Sequence, residues 1–567
     1  MPRTWIFPLC VIVATVAIYV PNFRDGYLNW DYSAYQQVLN RTDYAHLAWE
    51  LLIDFKGKIV TGYYAPISSL SLMLDKSILG AGVPQAWQTL LINLLLHCVN
   101  GVFVRQLLLS LGVNSRAAGL AMAVFLLHPL QVSSVMWFAQ RKGVMAEAFY
   151  LAAFIVYLRA RTAASFRGYA ASVTLFVIAM LCKPTTIVLP LALLCTELLF
   201  PTQTFTRQPV RGYVRTVPFF AVSATFAVLA VMTEPSEYID LPLVERPFLA
   251  AGTTWFYVSK VLVPLGLSPL YPSWHVDPTA PAWWLLLAAA VLAFATVVVL
   301  RHRIGSFMTW GIATFVIGVL PAMGLVRFGY FRLSYVADHF LYVSMVGASC
   351  CLGLLLAGMF EWLRVVVLRG AYVMVGVYLI LLGFDTCMYA RVWRDSYALW
   401  GRVISENPDS WAAHTFLGHA HLADGDTRQA EKQFRHSLDL RLKYENLYRK
   451  QAQDHQLRHE QYHAQRFAGR AAEVREGLAF AYYNLGNALL RANRLSEAMV
   501  VLREALIRKP DFAEAHNNLG IALLESGNKT AALEHFRQVL AIDPDNADAR
   551  YNLMLALEED RSAPQTK

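Results

Sequence analysis

Acidic and basic side chains stand directly beside long apolar segments in the first part of the chain. One of the few acidic ones is Asp31, which follows the first apolar segment in the stretch Asn29-Trp30-Asp31-Tyr32. A carboxylate just outside a membrane helix can take a proton from a substrate or bind a ligand. It can also cap a short helix, because aspartate is common at helix N-termini. The stretch therefore predicts either a catalytic or ligand-binding surface or a local helix cap.

The composition divides the chain into a membrane part and a soluble part. The 567 residues are 56% hydrophobic and 16% charged, and the apolar residues are concentrated before residue 390. This pattern predicts an all-α protein with a membrane domain at residues 1–390 and a soluble domain at residues 391–567. The formal net charge of +9 comes largely from short loops between apolar segments. Such loops set membrane orientation, so we expect no nucleic-acid partner.

About eleven apolar segments are long enough, or nearly so, to cross a bilayer. They are roughly 5–20, 86–104, 112–128, 143–158, 169–182, 185–200, 217–232, 282–300, 307–325, 338–360 and 371–388. The stretch 248–267 carries Lys260 near its centre, so we expect it to be re-entrant or to lie at the outer surface. Residues 21–84 form a long loop, and loops of this length are usually functional.

Arginines in the loops determine the predicted orientation. With the N-terminus in the cytoplasm, the cytoplasmic loops carry Arg105, Arg116, Arg159, Arg161, Arg167, Arg207, Arg211, Arg215, Arg301, Arg303, Arg364 and Arg369. Positive residues accumulate on the cytoplasmic side of membrane proteins. This orientation places the loop 21–84 and, after about eleven crossings, the soluble domain on the outer side.

Five basic residues depart from this pattern because they lie in predicted outer loops. They are Arg141, Lys142, Lys183, Arg327 and Arg332. An anionic ligand at the membrane surface would explain them, since arginine and lysine both bind phosphate. The alternative is that their side chains extend to ordinary lipid phosphates.

The seven cysteines lie in or beside apolar segments and show no CxxC spacing, so we expect neither a disulfide framework nor a zinc site.

A period of 34 residues organises the soluble domain. Gly418, Gly486 and Gly520 are separated by 68 and 34 residues, and Ala430, Ala498 and Ala532 keep the same spacing. This period is typical of tetratricopeptide repeats. We expect an α-solenoid with a degenerate repeat at 445–478 and a capping helix at 547–559. Its concave groove would bind an acceptor protein or peptide, although repeat domains can also serve only as spacers.

Short stretches in a fixed order carry a family resemblance. They are Asn29-Trp30-Asp31, Gly62-Tyr63-Tyr64-Ala65-Pro66, Leu72-Met73-Leu74-Asp75, Asn93-Leu94-Leu95-Leu96-His97, Leu127-His128-Pro129-Leu130-Gln131-Val132, Trp137, Arg141-Lys142, Lys183-Pro184, Tyr271-Pro272 and Ala337-Asp338-His339-Phe340-Leu341-Tyr342. With the repeats, they resemble the GT-C membrane glycosyltransferases, and most closely the transmembrane-and-tetratricopeptide-repeat family that includes protein O-mannosyltransferases. The resemblance covers nearly the whole chain and implies a GT-C-like membrane domain.

The resemblance implies a donor sugar on a polyprenyl phosphate, with Asp31 as the base that deprotonates the acceptor hydroxyl. Cations would stabilise the departing lipid phosphate, and the resemblance assigns this role to Arg141, Lys142, Lys183, Arg332 and His339. Support would come from Asp75, His128 and Asp338. A packed or hydrogen-bonded histidine is the favoured explanation of His128, and the alternative for Asp338 is a partner of Arg332 or Arg327.

The chain departs from the family pattern at three places. Tyr32 stands where relatives often have a second acidic residue, Gln140 where they often have glutamate, and Ala65 where histidine is common. Without a neighbouring carboxylate, Asp31 loses one way to raise its pKa or to bind a metal. We therefore assign no metal ligand and no definite cofactor, and binding of a divalent cation stays an open alternative.

The leading hypothesis is a GT-C type glycosyltransferase in a bacterial inner membrane, with the repeat domain periplasmic. It would transfer a sugar from the lipid donor to a protein Ser/Thr hydroxyl or a glycan docked by the repeats. A second hypothesis is a non-enzymatic membrane scaffold whose repeats bind proteins. A third is a lipid-sugar transporter or polymerase.

Overall fold

The computed structural model describes residues 5–24, 28–30, 65–79, 86–201, 210–233, 242–325, 329–363, 368–458 and 460–562. All regular secondary structure in these ranges is helical, so the predicted all-α class is confirmed. The chain forms two compact units, Met1–Leu399 and Trp400–Lys567.

The first unit is built mainly from apolar helices. They are α1 (Ile6–Tyr19), α2 (Pro66–Leu79), α3 (Ala86–Leu111), α4 (Ser115–Leu127), α5 (Val132–Met136), α6 (Arg141–Ala163), α7 (Phe166–Cys182), α8 (Leu189–Leu199), α9 (Val210–Val214), α10 (Val217–Thr233), α11 (Arg246–Leu262), α12 (Pro281–Ile304), α13 (Ser306–Val319), α14 (Met345–Leu363) and α15 (Leu368–Val392). Helix α16 (Ser396–Glu406) contains the division between the units.

Local sequence signals explain several helix ends. The Asn114 side chain accepts a hydrogen bond from the Ala117 amide and begins α4, and Ser165 caps α7 in the same way. Helix α4 ends at Leu127, and the chain bends by 53° before it continues through Pro129–Met136. Proline cannot donate to the preceding turn, so it breaks the helix at this point.

Within the described ranges, five helices are long and apolar enough to cross a membrane, and the bent pair α4–α5 makes up to six. The five are Ala86–Leu111, Phe138–Ala163, Gly212–Ala230, Pro281–Ile304 and Arg369–Val392. Shorter apolar helices occupy Ile6–Asn22, Phe166–Cys182, Pro184–Leu199, Ser306–Ala322 and Met345–Glu361. These elements coincide with the predicted apolar segments. They indicate a multi-pass membrane protein, while the number of crossings stays a prediction.

Close helix packing in the first unit depends on glycine. A Cβ atom at Gly347 in α14 would lie 2.3 Å from the Gly311 carbonyl oxygen and 2.4 Å from the Phe315 nitrogen in α13. Real side chains essentially never approach backbone this closely, so only glycine allows α13 and α14 their present distance. This pair lies beside the segment that carries His339.

The second unit consists of antiparallel helix pairs. Its helices are α17 (Trp411–Ala423), α18 (Thr427–Leu457), α19 (Gln461–Arg491), α20 (Leu495–Arg508), α21 (Ala513–Glu525), α22 (Lys529–Ile542) and α23 (Ala547–Ser562). A Cβ atom at Gly418 would lie 2.6 Å from the Phe434 ring, and one at Gly520 would lie 2.6 Å from the Phe536 ring. Gly418 and Gly520 therefore accept an aromatic ring from the second helix of their pair, whereas Gly486 accepts the side chain of Leu502.

The predicted degenerate repeat is incorporated into two long helices. Helices α18 and α19 have 31 residues each, whereas α17, α20, α21 and α22 have 13 or 14. The extra length is about 17 residues in each helix, which together is about one period. Glu445 pairs with Arg475 at 2.9 Å and also with Arg449, and so links the two extensions. The 34-residue phase is thereby kept without an additional helix pair.

Candidate functional site

The residue before Asp31 is held against the segment that leads into α6. Trp30 is buried, and its ring stacks on Trp137 with the ring centroids 4.5 Å apart. The Trp137 indole nitrogen donates a hydrogen bond to the Trp30 carbonyl oxygen at 3.4 Å. Asp31 itself lies outside the described residues. The chain as far as Trp30 therefore lies beside the start of α6.

Arg141, at the first position of α6, is engaged by protein groups. Its guanidinium donates two hydrogen bonds to the Asp75 carboxylate, at 3.1 and 2.9 Å. It also donates to Asn93 Oδ1 at 2.6 Å and to the Thr89 carbonyl oxygen at 2.9 Å. Arg141 and Asp75 are both buried. Four of the five N–H donors of Arg141 are thus used to join α2 and α3 to α6.

Lys183 lies across the same end of α6. It stands at the break between α7 and the 3-10 segment Pro184–Val188, and it is buried. Its ammonium group donates a hydrogen bond to Gln140 Oε1 at 3.2 Å. A Cβ atom at Gly143 would lie 3.5 Å from the Lys183 nitrogen. The lysine thus rests on the first turn of α6, where glycine leaves room for it.

The charge of Lys142 acts on Lys183. Lys142 is also buried, at the second position of α6. Burial, together with the positive charge of Lys142, lowers the pKa of Lys183 to about 7, and Glu147 opposes this shift. Two buried ammonium groups therefore lie close enough to repel one another at the N-terminal end of α6.

His339 completes this group from a separate segment. It belongs to the 3-10 segment Asp338–Leu341 and packs edge-on against Trp137, with the ring centroids 5.3 Å apart. It is buried, and Lys183 and Lys142 act on it electrostatically. Its imidazole can therefore take part in hydrogen bonding beside the two lysines. We call Lys142, Lys183 and His339 the lysine site.

Glu147 is a buried carboxylate that the sequence reasoning did not identify. It lies one turn after Gly143 on α6 and is fully buried. Neither of its carboxylate oxygens has a hydrogen-bond partner within the described residues. Its electrostatic interaction with Lys183 makes it the counter-charge of the lysine site. The available signal was a single acidic residue within an apolar helix, since such residues are functional candidates by default.

Asp338 is held by tyrosines. Its Oδ1 accepts a hydrogen bond from the Tyr271 hydroxyl at 2.8 Å, and its Oδ2 accepts one from the Tyr389 hydroxyl at 2.7 Å. The carboxylate is buried. It therefore anchors the segment that carries His339 to α15 and to the loop after α11. Arg327 and the side chain of Arg332 lie outside the described residues, so their predicted roles stay predictions.

His128 uses both ring nitrogens for structural contacts. Its Nδ1 accepts a hydrogen bond from the Leu130 amide at 3.3 Å, and its Nε2 bonds the Val261 carbonyl oxygen at 3.1 Å. These contacts fix the bend between α4 and α5 against the end of α11. In the part of the chain that the structure describes, no three His, Cys, Asp or Glu side chains are grouped to hold a metal ion.

A comparison with protein families identifies one part of the chain. Residues 483–547 match the tetratricopeptide repeat model. Among curated proteins, the mouse protein O-mannosyl-transferase TMTC2 is 32% identical over 144 residues. That alignment covers 24% of this chain and 16% of the mouse protein. The chain thus spans less than a fifth of the length of this relative.

Two solved structures are similar to parts of the chain at low TM-scores. One is YrrB, a tetratricopeptide-repeat protein with an unusual peptide-binding site, which is 19% identical with a TM-score of 0.16, covering 36% of this chain and 97% of YrrB. The other is the oligosaccharyltransferase AglB of Archaeoglobus fulgidus in complex with an inhibitory peptide and a dolichol-phosphate. It is 11% identical with a TM-score of 0.39, covering 74% of this chain and 58% of AglB.

These TM-scores are too low to assign a common fold to the whole chain. The family model covers only part of the second unit, and the mouse relative matches about a quarter of the chain. The chain is therefore a multi-pass helical membrane protein with tetratricopeptide repeats, and it resembles a protein O-mannosyl-transferase over part of its length.

Proposed function

We propose that this protein is a membrane glycosyltransferase whose donor is a sugar linked to a polyprenyl phosphate. Its acceptor would be a protein Ser/Thr hydroxyl or a glycan on the outer face of the membrane. The observation that carries this proposal is the convergence of Lys142, Lys183 and His339 beside Trp137. The partial resemblance to a protein O-mannosyl-transferase is consistent with it.

The lysine site has the electrostatics of a phosphate site. Two like charges held together away from water raise the free energy of the empty site. A phosphate group relieves that cost because its oxygens accept hydrogen bonds from both ammonium groups. Glu147 supplies one opposing charge, which keeps the site cationic without neutralising both lysines. The His339 imidazole can donate a further hydrogen bond to the phosphate.

The same arrangement favours the chemical step. The acceptor oxygen forms a bond to the anomeric carbon while the bond between that carbon and the phosphate oxygen breaks. The donor is a phosphodiester, whereas the leaving polyprenyl phosphate is a monoester with a charge of about −1.5 to −2. Lys142 and Lys183 therefore bind the developing leaving group more tightly than the donor. The acceptor proton passes to the Asp31 carboxylate, which is the role that the family resemblance gives it.

Trp30 supports the assignment of Asp31 to this site. It stacks on Trp137, and Trp137 packs against His339. The Trp137 indole thus lies between Trp30, which precedes Asp31, and His339 of the lysine site. Arg141 has a different part in this proposal, because its donors are largely occupied by Asp75 and Asn93. We infer that it positions Lys142 rather than binding the phosphate itself.

The repeats would supply the acceptor. Stacked helix pairs form an extended groove in other repeat proteins, where peptides and partner proteins bind. The proposed orientation has the N-terminus in the cytoplasm of a bacterium and the repeats in the periplasm, so donor and acceptor meet at the outer face. Protease added to sealed spheroplasts should digest the repeat unit. Digestion only after lysis would contradict this orientation.

Transfer of labelled sugar from polyprenyl-phosphate donors tests the proposal. The full-length protein in liposomes should release polyprenyl phosphate in the presence of an extracytoplasmic protein extract. Lys183→Gln should lose most of this activity, whereas Arg303→Gln on the exposed end of α12 should retain it. The alternative is a non-enzymatic scaffold whose repeats bind proteins. It would be favoured if the wild type captured partner proteins through its repeats but transferred no sugar from any donor in the panel.

A further inference from the structure

A second polar site lies at the other end of α6. A cavity of about 400 Å³ opens where α6 ends and α7 begins, against the segment that joins α9 to α10. Its lining includes Tyr157, Arg161, Phe166, Tyr169, Val214 and Arg215. Arg161 is 20 residues from Arg141, which is about 30 Å along a helix. This distance is close to the thickness of the hydrocarbon core, so the cavity and the lysine site belong to opposite membrane surfaces.

Arg161 brings a buried guanidinium group to the cavity wall. It is 8% exposed, and one of its terminal nitrogens donates to Glu197 Oε1 at 3.2 Å and to the Phe200 carbonyl oxygen at 3.3 Å. Its Nε atom is buried and has no hydrogen-bond partner within the described residues. Glu197 and Phe200 therefore use only one of the guanidinium nitrogens, and the group keeps further hydrogen-bonding capacity beside the cavity.

The charges around the cavity are predominantly positive. Arg159, Arg161, Arg167 and Arg215 lie on the described parts of the surrounding elements, and Glu197 supplies the opposing carboxylate. Glu197 is already engaged by Arg161 and by the Tyr157 hydroxyl, which donates at 2.8 Å. Arg215 is close enough to influence both Tyr157 and Tyr169 electrostatically. The excess of positive charge favours an anionic occupant.

The mouth of the cavity is apolar. Of the lining residues, Phe166 is 81% exposed and Val214 is 58% exposed, and Val217, next to the lining residue Pro218, is 56% exposed. An anion free in water would not need such a rim. A phospholipid would use both features, since its acyl chains would cover the apolar side chains while its phosphate enters the cavity.

We propose that this cavity binds the phosphate of an anionic phospholipid from the membrane leaflet opposite the lysine site. The guanidinium groups of Arg161 and Arg215 hold the phosphate, and the Tyr157 and Tyr169 rings form its walls. Phe166, Val214 and Val217 contact the acyl chains. This site does not depend on glycosyl transfer, so it stands or falls independently of the proposed activity.

Native mass spectrometry of the full-length protein in detergent tests the site. The probes are phosphatidylglycerol and phosphatidylcholine with identical acyl chains. We expect the wild type to retain phosphatidylglycerol preferentially. Arg215→Gln should reduce that retention about fivefold, which is the usual effect of one basic residue at an anionic membrane surface. Arg303→Gln, which removes an exposed arginine at the end of α12, should leave it unchanged.

A second pair of variants separates charge from packing. Val214 lines the cavity and is well exposed, so substitutions there should not disturb the fold. Val214→Glu should abolish the preference for phosphatidylglycerol, because its carboxylate repels the lipid phosphate. Val214→Gln introduces a side chain of nearly the same size as glutamate but without the charge, so it should keep the preference. Thermal unfolding without lipid checks that all variants are folded.

Three results would overturn the proposal. The first is equal retention of the two lipids by the wild type, and the second is an equal loss in Arg215→Gln and Arg303→Gln. The third is a rise in the thermal unfolding temperature with inorganic phosphate as large as the rise with phosphatidylglycerol, because it would indicate a site for a free anion.

Discussion

The Arg141 guanidinium and the Asp75 carboxylate face each other with two hydrogen bonds, at 3.1 and 2.9 Å, inside the first unit. Their side chains are only 2% and 5% exposed. The residues are 66 positions apart in sequence, so this ion pair joins α2 to the start of α6. Lys142 is the next residue on α6, and the geometry of the lysine site therefore depends on the pair.

Asp75→Asn should destabilise the protein because it leaves the buried guanidinium without its counter-charge. Loss of one partner of a buried ion pair costs about 3–5 kcal/mol. Thermal unfolding of the detergent-solubilised protein measures this loss. The double variant Asp75→Leu/Arg141→Met should recover much of the stability, because it removes both charges together. If Asp75→Asn alone unfolds at the wild-type temperature, the ion pair does not hold α2 against α6.

Binding of polyprenyl phosphate should weaken as the pH rises above about 7. The pKa of Lys183 is lowered to about 7, so the ammonium group that binds the phosphate is present below this pH and is lost above it. A bound anion raises that pKa somewhat, but the direction stays the same. The lipid phosphate itself gains negative charge as the pH rises, so the ligand alone would produce the opposite trend.

Equilibrium binding of polyprenyl phosphate at pH values from 6 to 9 tests this dependence. This range extends about one pH unit below and about two above the expected transition. Lys183→Gln should bind more weakly at the low end and should lack the decline. A wild-type affinity that is constant over the range would show that Lys183 does not bind the phosphate as a titrating cation.

Glu147→Gln should shift this pH dependence to lower values. The Glu147 carboxylate opposes the lowering of the Lys183 pKa, so its removal should let that pKa fall further. Glu147→Asp should restore part of the wild-type profile. Identical pH profiles for wild type and Glu147→Gln would mean that Glu147 does not act on Lys183.

Gly520→Ala should destabilise the repeat unit. Its Cβ atom would lie 2.6 Å from the Phe536 ring, which is fully buried and cannot move aside easily. Overpacking of this kind costs about 1–3 kcal/mol. Gly469→Ala is the matched control, because Gly469 is exposed on α19 and nothing lies within 4 Å of its Cβ position. Alanine there should raise stability by about 0.5–1 kcal/mol. Equal unfolding temperatures for both variants would contradict the proposed packing.

The sequence was sufficient for those features that repeat or that extend over a whole helix. Long apolar segments predicted the helices of the first unit, and the 34-residue spacing of Gly418 and Gly520 predicted the repeat, which the match at 483–547 supports. Both signals are sums over many residues. The 31-residue helices α18 and α19 were less accessible, because a polar segment can lengthen a helix pair or form a loop with the same composition.

The site was less predictable because it depends on pairings between distant segments. The sequence singled out Arg141, Lys142 and Lys183 as cations on one side of the membrane. Their spacing did not indicate that the Arg141 guanidinium donates its hydrogen bonds to Asp75 and Asn93. The stacking of Trp30 on Trp137 likewise joins residues 107 positions apart. Such pairs are decided by tertiary packing, which local sequence patterns do not encode.

Sugar transfer from labelled polyprenyl-phosphate donors, measured on the wild type and on Asp31→Asn, tests the central claim most directly. Polyprenyl-phosphate binding is measured on the same preparations, so that loss of the base is distinguished from loss of the donor site. We expect the wild type to transfer sugar, and Asp31→Asn to bind polyprenyl phosphate normally while its transfer falls by about 10²–10⁴-fold, the usual contribution of a general base. Equal transfer rates for the two proteins would contradict the role of Asp31 as the base.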